Sequence, residues 1–170
     1  MRAYIMKFSM RHKEQSYNTA QIVLHWTIAA LIVFNYFISD EMGRAFRQHL
    51  EDSNNGYSFT ASIHVYVGLA IIALVVVRVI VRFMSKKTKI VSKHLFERAA
   101  HIIHECLYLL MFLVPVFGAT AWYFGIHFMG DVHEIAINTM MSLVLLHAFA
   151  ALFHQYILKD GTLLKMFGQK

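Results

Sequence analysis

The chain contains eleven histidines, one cysteine and ten methionines, and the histidines are the residues whose spacing could do chemistry. Seven of them, His25, His64, His101, His104, His133, His147 and His154, fall in or beside long runs of apolar residues. A neutral imidazole is a common ligand of transition metals, haem iron included, and it also exchanges protons near neutral pH. A lone histidine in an apolar run is most often a packed, hydrogen-bonded residue. Spacing argues for more here. His133 and His147 are 14 residues apart, which on an α-helix is about 1400° and a rise of about 21 Å, so they share one face at two depths. Arg78 follows His64 by the same interval. With a single cysteine no CxxC site can form, so a bound metal would have to be held by something other than thiolates. The methionines are scattered, with Met140-Met141 the only adjacent pair, as packing residues are.

The elements that must carry these residues are membrane helices. At 58% hydrophobic, 15% charged and a mean hydropathy of +0.49, the 170 residues are too apolar for a soluble domain of this size. Charged residues are absent from Ala20–Ser39, Phe59–Val77, Cys106–Gly130 and Ile135–Leu158, and each run reaches or approaches the roughly 20 residues that span a bilayer. The expected fold class is an all-α membrane protein, an antiparallel four-transmembrane-helix bundle. It fills 1–170 as a single domain, with helices at about 19–39, 58–84, 99–124 and 132–158. Pro115 and Gly118 should bend the third helix locally. The link Asp40–Tyr57 reads as polar with a turn at Asn54-Asn55-Gly56, and the next link as a lysine-rich loop.

Charge sets the orientation. Fourteen of the sixteen Lys and Arg residues flank the side that carries both termini, and only Arg44 and Arg47 lie on the other. The positive-inside rule therefore predicts cytoplasmic N and C termini. The formal charge of +6 is then topological, and no nucleic-acid partner is expected. No cleavable signal peptide is visible, so the first helix reads as the insertion signal.

In that topology His25 lies early in helix one, level with His147 late in helix four, and His64 starts helix two at the depth of His133. Two pairs at two depths suit two stacked haems, one towards each face, with the four imidazoles as axial ligands of iron. Arg78 should sit on the haem-facing side at the inner depth, where it either pairs a haem propionate or snorkels to the headgroups. For Arg82, four residues nearer the end, snorkelling is the expectation. Glu105, beside His104, is a carboxylate at membrane depth that calls for a His or Lys partner, and is a weaker proton-relay candidate.

The ordered set of motifs resembles the bacterial cytochrome b561 group, di-haem membrane proteins related to the b-type subunits of hydrogenases. The matching residues are Leu24-His25-Trp26, Ile63-His64-Val65 with Gly68, Val77-Arg78 with Arg82, and His101-Ile102-Ile103-His104 with Pro115 and Gly118. They continue through His133-Glu134 and His147 to His154, and end with Lys159-Asp160-Gly161-Thr162-Leu163-Leu164. The resemblance implies two b haems on His25, His64, His133 and His147 and a place in the bacterial inner membrane, in contact with lipid. It also implies a cytoplasmic-side ubiquinone site, with members that oxidise superoxide outside and reduce ubiquinone inside. On that reading His101, His104 and His154 are the quinone candidates, with Lys159 nearby.

Two features depart from the family pattern. The outward link between helices three and four, about Gly125–Val132, is short. The outward loops carry six carboxylates, Asp40, Glu41, Glu51, Asp52, Asp131 and Glu134, against Arg44 and Arg47, a formal −4 that should repel an anion. A patch of Arg44, Arg47 and His49 is the local exception. Two other classes stay open: a haem-bearing anchor that passes electrons between quinone and a soluble oxidoreductase partner, and a haem-free metal carrier built on His and Met.

Overall fold

The structure, a computed structural model, describes residues 18–52, 58–85, 95–159 and 161–168. Arg2, Lys7, Arg11, Lys13, the turn at Asn54-Asn55-Gly56, the loop lysines Lys86, Lys87, Lys89 and Lys93, Asp160 and Lys170 lie outside the described residues. What is described is helical. Four helices, α1 (Thr19–Phe37), α3 (Phe59–Met84), α4 (Leu95–Phe124) and α5 (His127–Phe153), are long and apolar enough to cross a bilayer. They run alternately up and down, so that α1 begins and α5 ends at one end of the bundle, called here the terminal end. The opposite, loop end carries a short helix, α2 (Met42–Glu51).

Local chemistry starts these helices where it should. Asn18 and Gln21 form a capping box at α1: the Asn18 side chain accepts from the Ala20 N–H at 3.2 Å, and the Asn18 N–H donates to Gln21 Oε1 at 3.3 Å. Ser58 caps α3 by accepting from the Ala61 N–H at 3.1 Å. Gln21 Nε2 then donates to Ser85 Oγ at 3.0 Å, tying the start of α1 to the end of α3. At 30 residues α4 is about 45 Å long, and it continues through Pro115.

The link from α4 to α5 is shorter than the sequence suggests. Gly125 takes a positive φ of 64°, a conformation open to glycine without steric cost, and the chain reverses at once so that α5 begins at His127. Asp131 and Glu134 therefore belong to the opening turns of a helix, with Asp131 3.5 Å from His127. The polar link 40–57 also differs from expectation, because most of it is α2. This helix lays Ala45 and Phe46 inward against Ala61 and Trp122, while Arg44 and Arg47 stay outside. Such a short amphipathic stripe is easily read as a loop when two charged residues interrupt it.

The core runs along the axis, with Ile28 and Ile32 of α1, Ile71 and Val75 of α3, Leu107 and Val114 of α4, and Met140 of α5. Close backbone packing links α1 to α3, α3 to α4 and α4 to α5. Across the remaining side, α1 and α5 meet through long side chains, Tyr36 donating to Asn138 Oδ1 at 3.4 Å and His25 facing His147. No more than 11% of any spanning window is buried within the protein. Phe34, Phe37, Tyr66, Phe83, Phe112 and Phe149 are among the large apolar side chains turned outward. In water such a surface would aggregate; in a bilayer it is the required exterior.

At the terminal end α5 passes into a π-helical turn, His154–Leu158, and Lys159 follows in the left-handed conformation. The chain then folds back as α6 (Thr162–Lys165). Trp26 of α1 donates to the Met166 carbonyl at 3.0 Å and stacks on Phe167 at 5.2 Å, which closes the bundle beside His25.

Candidate functional site

The bundle interior brings the histidines together in two clusters, one towards each end. At the loop end His64 of α3 faces His133 of α5 with ring centroids 6.2 Å apart and planes at 86°. At the terminal end His25 of α1 faces His147 of α5 at 6.4 Å and 80°. These are the two pairs that depth and spacing suggest.

Each pair is spaced for a metal between its rings. A metal–nitrogen bond of about 2 Å on both sides, with each nitrogen about 1.1 Å from its ring centre, puts the centroids about 6.3 Å apart. Two imidazoles alone leave most of a transition metal's coordination sphere empty. Among the described residues no group of three or more His, Cys, Asp or Glu is arranged to hold a bare ion. A haem brings four equatorial nitrogens and asks the protein for two axial ones, so the donor set fits haem better than a free metal.

The surroundings of the loop-end pair are built for orientation. His133 Nδ1 is 2.8 Å from the Val114 carbonyl. A carbonyl can only accept, so Nδ1 carries the proton and the Nε2 lone pair is left for a ligand; such a bond to the far nitrogen is how ligating histidines are held. Gly118, one turn beyond Val114, makes room: a Cβ there would lie 3.0 Å from Cε1 and Nδ1 of the His133 ring. Buried Asn35 of α1 donates to the His64 carbonyl at 3.3 Å, and His64 Nδ1 is buried without a hydrogen-bond partner. Gly68, a turn along from His64, faces open space. Above the pair α2 forms a roof. His49 stacks on Trp122 at 4.3 Å with planes 3° apart, and its Nε2 donates to the Trp122 carbonyl at 3.2 Å.

The terminal-end cluster is larger and charged. His104 of α4 lies 4.9 Å from His147, too close for the two to share one metal in the manner of the pairs, and so takes a place beside the ligand candidates. Arg78 donates through Nε to the Tyr108 hydroxyl at 3.1 Å, while its Nη1 is buried and unpartnered. Arg82 does not reach for the headgroups alone. It lies over the Tyr108 ring at 4.7 Å and pairs with Glu105 at 3.2 Å, and His101 Nδ1 is 3.8 Å from the same carboxylate. The partner of Glu105 is thus chiefly an arginine, where a His or Lys is the sequence expectation.

The three quinone candidates are separated. His104 turns into the cluster. His101 faces outward on α4, beside an open groove of about 450 Å³ lined by Arg98, His101, Ile102, Glu105 and Cys106. His154 sits in the π-helical turn next to Phe153. Sequence reasoning missed Asn35, Tyr108 and the His49–Trp122 stack. Asn35 had a signal, an amide in an otherwise apolar run; Tyr108 had a weaker one, a hydroxyl one turn from His104.

A family model described as prokaryotic cytochrome b561 matches residues 16–169. A cytochrome b562 of Cereibacter sphaeroides is 42% identical over 91% of the chain and 96% of its own length. The probable superoxide oxidase CybB of Yersinia pestis is 28% identical over 94% of the chain and 98% of its own. Cytochrome b561 homolog 1 of Escherichia coli is 25% identical over 88% and 96%.

Proposed function

We propose, from the premise that this chain belongs to the prokaryotic cytochrome b561 family, that it carries electrons through two b-type haems from a periplasmic donor to a cytoplasmic-side quinone. Family and fold make it a multi-pass protein of the bacterial inner membrane that binds b-type haem and transfers electrons. The number of haems, their ligands, the direction and the redox partners are the inferred part. The observation that carries it is the presence of two imidazole pairs at 6.4 and 6.2 Å, one towards each end of the bundle.

On this reading His25 and His147 hold one haem and His64 and His133 the other. Bound haem supplies one-electron exchange at its iron. The chain does the rest. The Val114 carbonyl fixes the His133 tautomer, the unpartnered Nη1 of Arg78 suits a propionate, and apolar packing from Ile28 to Met140 keeps water from the axis. Cytoplasmic termini, supported by the division of Lys and Arg, put the terminal-end cluster inside. Ubiquinone needs two electrons and two protons, so its site needs groups that hold an oxygen and pass protons. His101 with Glu105, His104 beside His147, and His154 all lie at the terminal end, and this reading assigns those tasks among them.

For the donor we favour superoxide, two of which give two electrons and leave as two molecules of oxygen. The name of the Yersinia relative supports it, and so do Arg44 and Arg47 on the outer face of α2. The acidic residues of the same end support a second reading, a haem-bearing anchor serving a basic soluble oxidoreductase. One assay separates them. With superoxide as donor, replacing Arg44 and Arg47 by Gln slows haem reduction several-fold at low ionic strength, and salt narrows the gap as screening shortens. If the unaltered protein is reduced slowly by superoxide and salt accelerates it, superoxide is a poor substrate and the anchor reading takes its place.

A further inference from the structure

The two clusters differ in charge, and one side chain outside the histidine set decides how that charge is aimed. Arg78 and Arg82 are four residues apart on α3, and both lie against the ring of Tyr108 on α4, at 5.6 and 4.7 Å. They are not equivalent. Arg82 is paired with Glu105 at 3.2 Å. No ion pair with Arg78 occurs among the described residues. Its Nε–H is taken by the Tyr108 hydroxyl at 3.1 Å, and its Nη1 is buried with no partner. Arg78 lies within electrostatic reach of His25, His104 and His147, whereas Arg82 reaches His104 alone of the three.

A guanidinium is a planar fork, so holding Nε leaves the two terminal nitrogens with one orientation. Without the hydroxyl, the side chain would be free to swing along α3 towards Glu105 and the headgroups, as long basic side chains near helix ends do. Tyr108 thus has two roles in the packing. Its ring packs against both cations, and its oxygen keeps Arg78 turned inward. At the loop end Arg44 and Arg47 stay on the outer face of α2, and the charged side chain within reach of His133 is the neighbouring Glu134.

A positive charge near a redox group favours the form carrying the extra electron, and in a low-dielectric interior the effect is large. We propose that Tyr108 is a positioning residue that clamps Arg78 towards the terminal-end cluster and so makes the haem site at His25 and His147 the higher-potential site of the two. Electrons entering at the loop end would then run downhill to the terminal end. The proposal rests on the two-haem reading above and deepens it by giving the transfer a direction.

Redox titration of the purified holoprotein, followed in the haem absorption bands, tests it. The unaltered protein should show two one-electron waves, and the wave kept by His133→Ala, which retains the terminal-end pair, should be the higher. Tyr108→Phe keeps the ring and loses the clamp. It should lower that midpoint by a tenfold shift in equilibrium, about 59 mV for one electron, and leave the lower wave in place at full haem content. Glu105→Gln removes the partner of Arg82 and should move the same midpoint upward, by about threefold given the exposure of the pair. A merely structural role for Tyr108 would move both waves or neither, and would not lower the terminal-end midpoint alone at full haem content.

Two unmoved midpoints in Tyr108→Phe, or a loss confined to the lower wave, overturn the proposal, as does a lower-potential terminal-end haem. Should Tyr108→Phe fail to retain haem, Arg78→Lys decides, because it keeps the charge and loses the Nε–H that the hydroxyl holds, and an unshifted midpoint there rejects the clamp. A single haem per chain instead rejects the two-haem reading itself, and the ranking of sites with it.

Discussion

The two ends of the bundle solve the same problem differently. At the loop end two imidazoles meet in surroundings held mainly by backbone: a carbonyl of α4 fixes His133, an amide of α1 holds the His64 peptide, and a glycine lets the ring approach. At the terminal end two imidazoles meet among a third histidine, two guanidiniums, a phenol and a carboxylate. The first arrangement selects geometry; the second adds a field. The difference teaches that a shared ligand spacing need not mean a shared redox environment, because side chains that never touch the metal position set the charge around it.

Removing one histidine from each end should have the largest effect. His147→Ala should cost the terminal-end haem and His133→Ala the loop-end haem, so that each variant retains about one of two by haem extraction and protein assay. Loss of both from either variant would mean that the clusters fold as one unit and the contrast between them is false. Retention of both would mean that the ligands lie elsewhere, with His104 the first alternative.

A smaller effect should separate the two ends by packing alone. Gly118→Ala places a methyl 3.0 Å from the His133 ring, which the Val114 carbonyl keeps from moving away. Overpacking of this kind costs about 1–3 kcal/mol, so loop-end haem affinity should fall roughly 5- to 150-fold. The terminal-end haem should be unaffected. Equal weakening at both ends would show that Gly118 serves α4 as a whole.

The smallest effect concerns the amide. Asn35→Ala removes a buried hydrogen bond to the His64 carbonyl, worth about 1 kcal/mol. It should lower the thermal stability of the holoprotein by a few degrees and broaden the spectrum of the loop-end haem alone. A shift in the terminal-end midpoint would contradict the separation of the two environments.

Much of this was legible without coordinates. The four spans follow from uncharged runs of sufficient length, since a helix must satisfy its own backbone in lipid. The 14-residue interval placed His133 and His147 on one face because helical rotation and rise are constants. Antiparallel direction then matched His25 to His147 and His64 to His133, and the structure sets those residues face to face. The α2 helix was not legible, because its stability comes from Ala45 and Phe46 packing on Trp122, a residue more than seventy positions away. The separation of His101 from His104 was equally hidden. Both sit near the start of α4, and only the position of α5 decides that one turns towards His147 while the other faces the groove.

By itself the sequence determined what depends on one helix at a time: which segments enter the membrane, which residues share a face, and how far apart in depth they lie. Tertiary structure decided what depends on two helices meeting. It chose Glu105 for Arg82 and Tyr108 for Arg78, gave His133 the Val114 carbonyl, and left α1 and α5 apart except at long side chains. The reason is geometric. Periodicity places a side chain on a helix to within a fraction of a turn, whereas a hydrogen bond across a helix interface depends on rotations and offsets of about an ångström, which the packing of the whole bundle sets.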